Sequence, residues 1–238
     1  MEKKSVIITG GSRGIGLAIS NTLIDNGYIV YCISRTKPDN NNIRFIECDL
    51  SDVSSMHDMS SVVKSIRPDH LINNVGIDSN GPFLEQTLES INRVINTNFI
   101  SHYLLTQDVI SNLISNDKPG KVLFITSIWG SRSTKYKSLY SASKFALEGL
   151  SKSLSSEFID RDVHINCIAP SFTDINSTTS PQSNYYRTEE HLDSLRKKIN
   201  GGRLVDPQEV ADTVVWMLSD KCSYATGQTI TIDRGDIF

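Results

Sequence analysis

The chain has 238 residues, 38% of them apolar and 21% charged, with a formal net charge of −3. That is enough apolar material for one substantial core, and it lacks the basic excess that binding to nucleic acid or an anionic membrane surface requires. No stretch approaches the ~18 apolar residues of a membrane span, the N-terminal apolar run is too short for a secretion signal, and Cys32, Cys48, Cys167 and Cys222 form no C-x-x-C pair, so a cytoplasmic, metal-free chain with reduced thiols is expected.

Ser5 to Thr9 is a short apolar run that breaks into T-G-G-S-R-G-I-G and resumes at helical spacing, which predicts strand, tight turn and helix. Gly10, Gly14 and Gly16 permit the turn and a close backbone approach, and the helix N-terminus offers N–H groups and a positive dipole end to a pyrophosphate. Gly10 to Gly14 also reads as G-x-S-x-G, the nucleophile elbow of a hydrolase, with His164 and His191 downstream as partners. That elbow follows several earlier strands in its own fold, whereas here it follows the first.

Tyr28 to Ile33 predicts the second strand, ending in Ser34-Arg35 with no acid at its tip. In a dinucleotide fold an acid there takes the ribose 2′-hydroxyl and an arginine the 2′-phosphate, so Arg35 with Arg13 favours NADP(H) over NAD(H). Ile43 to Glu47 predicts a third strand, and Asp52 to Ile66 a helix. Asp49 either meets an adenine or caps the next turn. His70 to Ile72 leads into N-N-V-G, which falls on the ligand side of a doubly wound sheet.

Leu88 to Ser115 predicts one long helix with Asn98 near its middle, marking a local bend, a bound water or a solvent-facing residue. Val122 to Thr126 predicts a strand ending at Ser127. The next helix runs from about Lys137 to Phe158 and carries Tyr140 and Lys144, four apart and so on one face. A neighbouring ammonium favours a phenolate, which would lower the Tyr140 pKa. Val163 to Ile168 is the sixth strand. Ser171 to Gly202 is polar with one helical piece, Glu189 to Ile199, and reads as a lid. Asp206 caps a helix opened by Pro207, and Gly227 to Ile232 closes the chain as a seventh strand.

In order and spacing together, these residues resemble the short-chain dehydrogenase/reductase family over essentially the whole chain. The resemblance implies a single-domain α/β, Rossmann-type, doubly wound parallel sheet of about seven strands with helices on both faces. Residues 1–126 would form mainly the cofactor half, 127–170 the catalytic segment, 171–202 the substrate lid, and 203–238 the closing helix and strand. T-G-G-S-R-G-I-G is similar to the family's cofactor turn, implying contacts from Gly10, Ser12, Arg13, Gly14, Ile15 and Gly16. N-N-V-G is similar to its N-N-A-G turn and implies Asn74, Val75 and Gly76; Asp49-Leu50 matches its adenine contact, and Ser34 and Arg35 its NADP(H)-preferring branch. Pro170 and Thr173 would meet the nicotinamide.

Asn98, Ser127, Tyr140 and Lys144 match the family's catalytic tetrad. The resemblance makes Tyr140 the general acid and has Ser127 bind the carbonyl oxygen. It has Lys144 lower the Tyr140 pKa and hold the nicotinamide ribose, and with Asn98 organise a water relay. Trp129 lines the substrate pocket or packs beneath the loop, and Tyr185 and Tyr186 of the lid are further substrate contacts. Val75, Ser171 and Arg234 depart from the family's usual alanine, glycine and glycine.

The likeness in type is to 3-oxoacyl-[acyl-carrier-protein] reductases. Lys118 and Arg161 match basic positions that dock the carrier protein, or are ordinary surface charges. A homotetramer or homodimer through the two long helices is implied. The rival expectations are the reverse reaction on a sugar, polyol or other alcohol, and a non-catalytic dinucleotide-binding sensor or scaffold, against which the intact tetrad argues.

Overall fold

Short β-branched runs that are apolar at every position can be buried only if helices cover both faces of the sheet they form. The computed structural model, which describes residues 3–179 and 187–235, has this arrangement. Its strands are β1 (Ser5–Thr9), β2 (Ile29–Ser34), β3 (Arg44–Glu47), β4 (His70–Asn73), β5 (Gly120–Ile125), β6 (Val163–Pro170) and β7 (Thr229–Ile232). They lie in the order β3-β2-β1-β4-β5-β6-β7, every neighbouring pair parallel.

Consecutive strand residues face opposite layers. Ile8 therefore packs with Ile19, Leu23, Val210 and Val214, beneath α1 (Gly14–Asp25) and α7 (Pro207–Leu218). Ile7 packs on the other side with Val109, Leu113, Phe124 and Leu147, beneath α2 (Met56–Ile66), α4 (Ser101–Ser115) and α5 (Ser138–Phe158). All four cysteines are buried and free.

Two expected helices differ in detail. The span Leu88 to Ser115 is not one α-helix: α3 (Leu88–Ile95) and α4 are joined by a π turn at Asn96–Ile100. α6 (Glu189–Arg196) stops short of Ile199. The Asp206 cap is present as a capping box with Glu209. Leu192, Leu195 and Leu204 form a small separate core under α6. Arg234 does adopt a left-handed φ of 55°, a conformation that favours glycine, whereas Ser171 does not and donates its N–H to the Ile232 carbonyl at 2.9 Å.

Candidate active site

The strand order reverses between β1 and β4, opening a crevice at their carboxyl ends. Two turns are clamped together across it. Thr9 Oγ1 accepts from the N–H groups of Asn74 and Val75, each at 2.9 Å, while Asn74 Nδ2 donates to the carbonyls of Thr9 at 2.9 Å and Gly10 at 3.2 Å. Gly16 makes the contact possible, since a Cβ there would lie 2.1 Å from the Gly10 carbonyl oxygen. α1 starts with no side-chain cap from Arg13 and no acid in its first turn. Its leading N–H groups and dipole are thereby left to an anion.

A cleft of about 520 Å³ runs from this point along the sheet edge. Gly10, Ser12, Arg13, Gly14, Ile15, Gly16, Ser34, Arg35, Asp49, Leu50, Asn74, Val75 and Gly76 all line it. Asp49 caps its own turn, accepting from the Ser51 N–H at 3.0 Å and Oγ at 2.8 Å, and still faces the cleft with Arg35 3.8 Å away. Burial pushes its carboxyl up, but the Ser51 bonds and the charges of Arg35 and Arg93 outweigh that and hold it below the ordinary value. Ser34 turns its hydroxyl to the Thr36 carbonyl at 2.7 Å. The cationic lining of the cleft therefore comes from Arg13, Arg35, Arg93 and Arg187.

A second cleft of about 780 Å³ adjoins the first, sharing Ile15, Asp78, Ile175 and Arg187 with it. Ser127, Trp129, Tyr140, Pro170 and Thr173 line this one. Ser127 follows β5, and its Oγ accepts from the Trp129 N–H at 3.2 Å and hydrogen-bonds the Tyr140 phenol. Gly130 lets that loop rest on α5, because a Cβ would fall 2.4 Å from Glu148 Oε1. Trp129 lines the cleft and packs edge-on against Phe172, with ring centroids 6.2 Å apart.

Lys144 is one turn beyond Tyr140, 3% exposed, with its Nζ donating to the Ile125 carbonyl at 3.0 Å. A Cβ on Gly76 would come within 3.3 Å of that Nζ and 3.7 Å of Asn98 Oδ1, so the glycine keeps open the space beside the ammonium. Asn98 is fully buried rather than solvent-facing. Its Oδ1 accepts from the Ile77 N–H at 2.9 Å, and its Nδ2 donates to the Ile77 carbonyl and to Ser143 Oγ, both at 3.0 Å. Ser143 Oγ in turn donates to the Tyr140 carbonyl at 2.7 Å, so Asn98 ties the loop after β4 to the first turn of α5.

The expected lowering of the Tyr140 pKa is reversed here. Burial pushes the phenol up to about 12, Asp78 adds to the rise, and only the Ser127 bond opposes it. Lys144, with its Nζ 5.7 Å from the Tyr140 ring centroid, is itself pushed down to about 8 by burial. His102, one turn past Asn98, is driven down to about 3 by burial and the Lys144 charge, and so is neutral at ordinary pH. His164 pairs with Asp162 at 2.8 Å at the amino end of β6, whereas Ser12 lies past the carboxyl end of β1, which removes His164 as a partner for a hydrolase elbow.

Arg93, Ile77, Asp78, Ile175 and Arg187 also line the clefts and were not anticipated from the sequence. For Arg93 a signal existed: it stands four residues before Thr97, and both face the first cleft from α3 and the π turn. Tyr185 and Tyr186 lie outside the described residues. Lys118 pairs with Asp69 at 3.6 Å just before β5, and Arg161 lies just before β6. Both are at the amino ends of strands whose carboxyl ends hold the site.

An uncapped helix N-terminus, a glycine-walled crevice at a topological switch point and, in the adjoining cleft, a Ser127–Tyr140 pair with Lys144 one turn further along α5 define a dinucleotide-dependent oxidoreductase site. The cleft's open glycine faces fit a dinucleotide. A family model described as enoyl-(acyl carrier protein) reductase matches residues 10–236. The 3-oxoacyl-[acyl-carrier-protein] reductase FabG of Chlamydia trachomatis is 32% identical, covering 98% of this chain and 96% of that protein. A tropinone reductase homolog of Arabidopsis thaliana is 31% identical over 97% of this chain and 74% of its own length. The crystal structure of a putative NAD(P)-dependent gluconate 5-dehydrogenase from Beutenbergia cavernae, with bound NADP, superimposes with a TM-score of 0.86 at 25% identity, covering 98% of this chain and 96% of that one.

The chain belongs to the short-chain dehydrogenase/reductase family. It is an oxidoreductase that acts on CH–OH and C=O groups.

Proposed function

We propose that the chain is an NADPH-dependent ketoreductase that converts a carbonyl, such as a 3-oxoacyl thioester, to a secondary alcohol. The observation that carries this reading is the hydrogen bond between Ser127 and the Tyr140 phenol in the second cleft, which adjoins the first. When bound, NADPH supplies the hydride. Tyr140 holds a proton firmly enough to be delivered to the substrate oxygen, and Ser127 orients that oxygen beside it. Lys144 places a positive charge beneath the phenol and retains N–H donors for a ribose, while Asn98 fixes the loop and helix that frame the pair. Arg13 and Arg35 supply the fork-shaped donors suited to a 2′-phosphate.

Tyr140→Phe is the decisive variant. Reduction of any accepted ketone should fall by at least ~10²-fold while NADPH affinity changes little. Retained turnover would overturn the assignment of Tyr140, and equal affinity for NADH and NADPH would overturn the cofactor preference. The likeness to a putative gluconate 5-dehydrogenase favours the reverse reaction on a hydroxy compound as a second reading; the ratio of oxidation to reduction rates at neutral pH separates the two.

Carrier-protein docking through Lys118 and Arg161 has a geometric consequence. Those residues and Ser127 are at opposite ends of β5 and β6, roughly 25 Å apart at ~3.3 Å per strand residue. A carrier docked there would serve the site of another copy. Association through α4 and α5 is consistent with the groove that Tyr103, Ile110, Leu154 and Phe158 form between them. Light scattering showing only a monomer would remove that assembly. Among the described residues no helix is long and apolar enough to cross a membrane.

A further inference from the structure

Among the described residues two ammonium groups lie over the Tyr140 ring, and they differ in what holds them. Lys144 Nζ, 5.7 Å from the ring centroid, is tied to the Ile125 carbonyl, which carries no formal charge. Lys137 Nζ, 5.5 Å from the same centroid, is bound to a carboxylate: it donates to both oxygens of Asp78, to Oδ1 at 2.6 Å. The phenol therefore stands beside one net cation and one neutral ion pair.

The ion pair is fixed from both sides. In the loop after β4, Asp78 Oδ1 also accepts from the Ser79 N–H at 2.8 Å, and Oδ2 from the Asn80 side-chain amide at 3.3 Å, contacts that suit the ionised, acceptor-only carboxylate. Lys137 immediately precedes α5 and its side chain is mostly buried. The same two segments are already joined without these charges. The Gly81 N–H donates to the Tyr136 carbonyl at 3.1 Å, and Asn98 links Ile77 to Ser143. What the ion pair adds is electrostatic, and Asp78, Lys137 and Tyr140 all line the second cleft.

We infer that Asp78, through its ion pair with Lys137, is a positioning residue that sets the pH at which Tyr140 exchanges its proton, by cancelling one of the two ammonium charges beside the phenol. The inference rests on the reading of Tyr140 as the proton donor. Without Asp78, Lys137 would add a second unit of positive charge ~5–6 Å from the ring. At an effective dielectric between ~20 and ~80, such a charge moves a pKa by roughly 0.5–2 units. Keeping that charge cancelled biases the site toward giving a proton, as reduction needs.

The test uses the full chain, its Asp78→Asn and Lys137→Gln variants and the variant carrying both changes, with circular dichroism confirming that each is folded. Each is assayed for oxidation of 3-hydroxybutyryl-N-acetylcysteamine thioester and of gluconate by NADP+ between pH ~6 and ~9.5 at fixed ionic strength. In this direction Tyr140 accepts a proton, so the rate rises with pH along a limb set jointly by the phenol and Lys144, which titrates in the same window at about 8. A charge change at 78 or 137 moves both groups the same way. The limb should move to lower pH by roughly 0.5–2 units in Asp78→Asn, to higher pH by a similar amount in Lys137→Gln, and back to within ~0.3 units of the parent in the double variant. Arg132 and Lys135 from the loop after Ser127, Arg187, and His191 and Lys198 from α6 and the turn after it also line the cleft, and Cys167 and His102 face Lys144 from behind. All are common to the four proteins, so the comparison cancels them. If the ion pair merely fastened the loop, all three variants would lose rate without opposed displacements of the limb; that result would overturn the inference and leave the oxidoreductase reading standing. No turnover of either alcohol by the parent chain would overturn both.

Discussion

Burying the Lys144 ammonium strains the fold, and the strain can be measured. The folded protein holds this group at a pKa of about 8 against an ordinary 10.5. At ~1.4 kcal/mol per pKa unit, that is a penalty of about 3 kcal/mol, fully present below pH ~8. Between pH ~8 and ~10.5 the unfolded chain holds a proton that the folded chain has released, so stability rises with pH through this window. Lys144→Met has similar bulk and no charge, and it removes the penalty. It also leaves the Ile125 carbonyl without its 3.0 Å partner, a loss of about 1–2 kcal/mol. The net expectation is a variant about 1–2 kcal/mol more stable than the parent at pH 7 and no more stable by pH ~10. Turnover should nevertheless fall by ~10²-fold or more. Urea unfolding of both cofactor-free proteins at three pH values between 7 and 10 measures the difference, and groups common to both cancel. A variant less stable than the parent at pH 7, or a difference that does not change with pH, would refute the reasoning.

Asn98→Leu leaves the Ile77 N–H and carbonyl unpaired in a buried site, so it should lower stability by ~2–4 kcal/mol in urea melts and reduce turnover through the loosened start of α5. Gly16→Ala places a methyl group 2.1 Å from the Gly10 carbonyl oxygen, and NADPH fluorescence titration should show binding lost or weakened at least ~10-fold. Arg35→Glu should weaken NADPH by ~10-fold or more while changing NADH affinity less than ~3-fold; parallel loss of both would argue that Arg35 serves the turn alone.

Much of this protein is written locally in its sequence. The apolar runs of Val6 to Ile8 and Val122 to Phe124 announce buried parallel strands, because every position along them is covered by a helix layer. Gly10, Gly14 and Gly16 between a strand and a helix announce the dinucleotide turn, and Tyr140 with Lys144 falls on one helical face by spacing alone. Asp206 before Pro207 marks its cap with no help from elsewhere in the chain. These features depend on neighbours within a few residues, and local periodicity and propensity suffice to read them.

What only the tertiary structure decided depends on groups distant in the chain. Asn98 is a buried clip because the π turn aims it at Ile77 and Ser143, 21 and 45 positions away. The Tyr140 pKa rises because burial and Asp78 outweigh the Ser127 hydrogen bond, and burial is a property of the whole fold. Arg132, Arg187 and Lys198 are far apart in the chain and line one cleft only because the loop after Ser127, residue 187 and the turn after α6 converge in the fold. Lys118 and Arg161 show the converse: the sheet carries them to the edge away from Ser127, since parallel strands put all their amino ends on one side and the chemistry on the other.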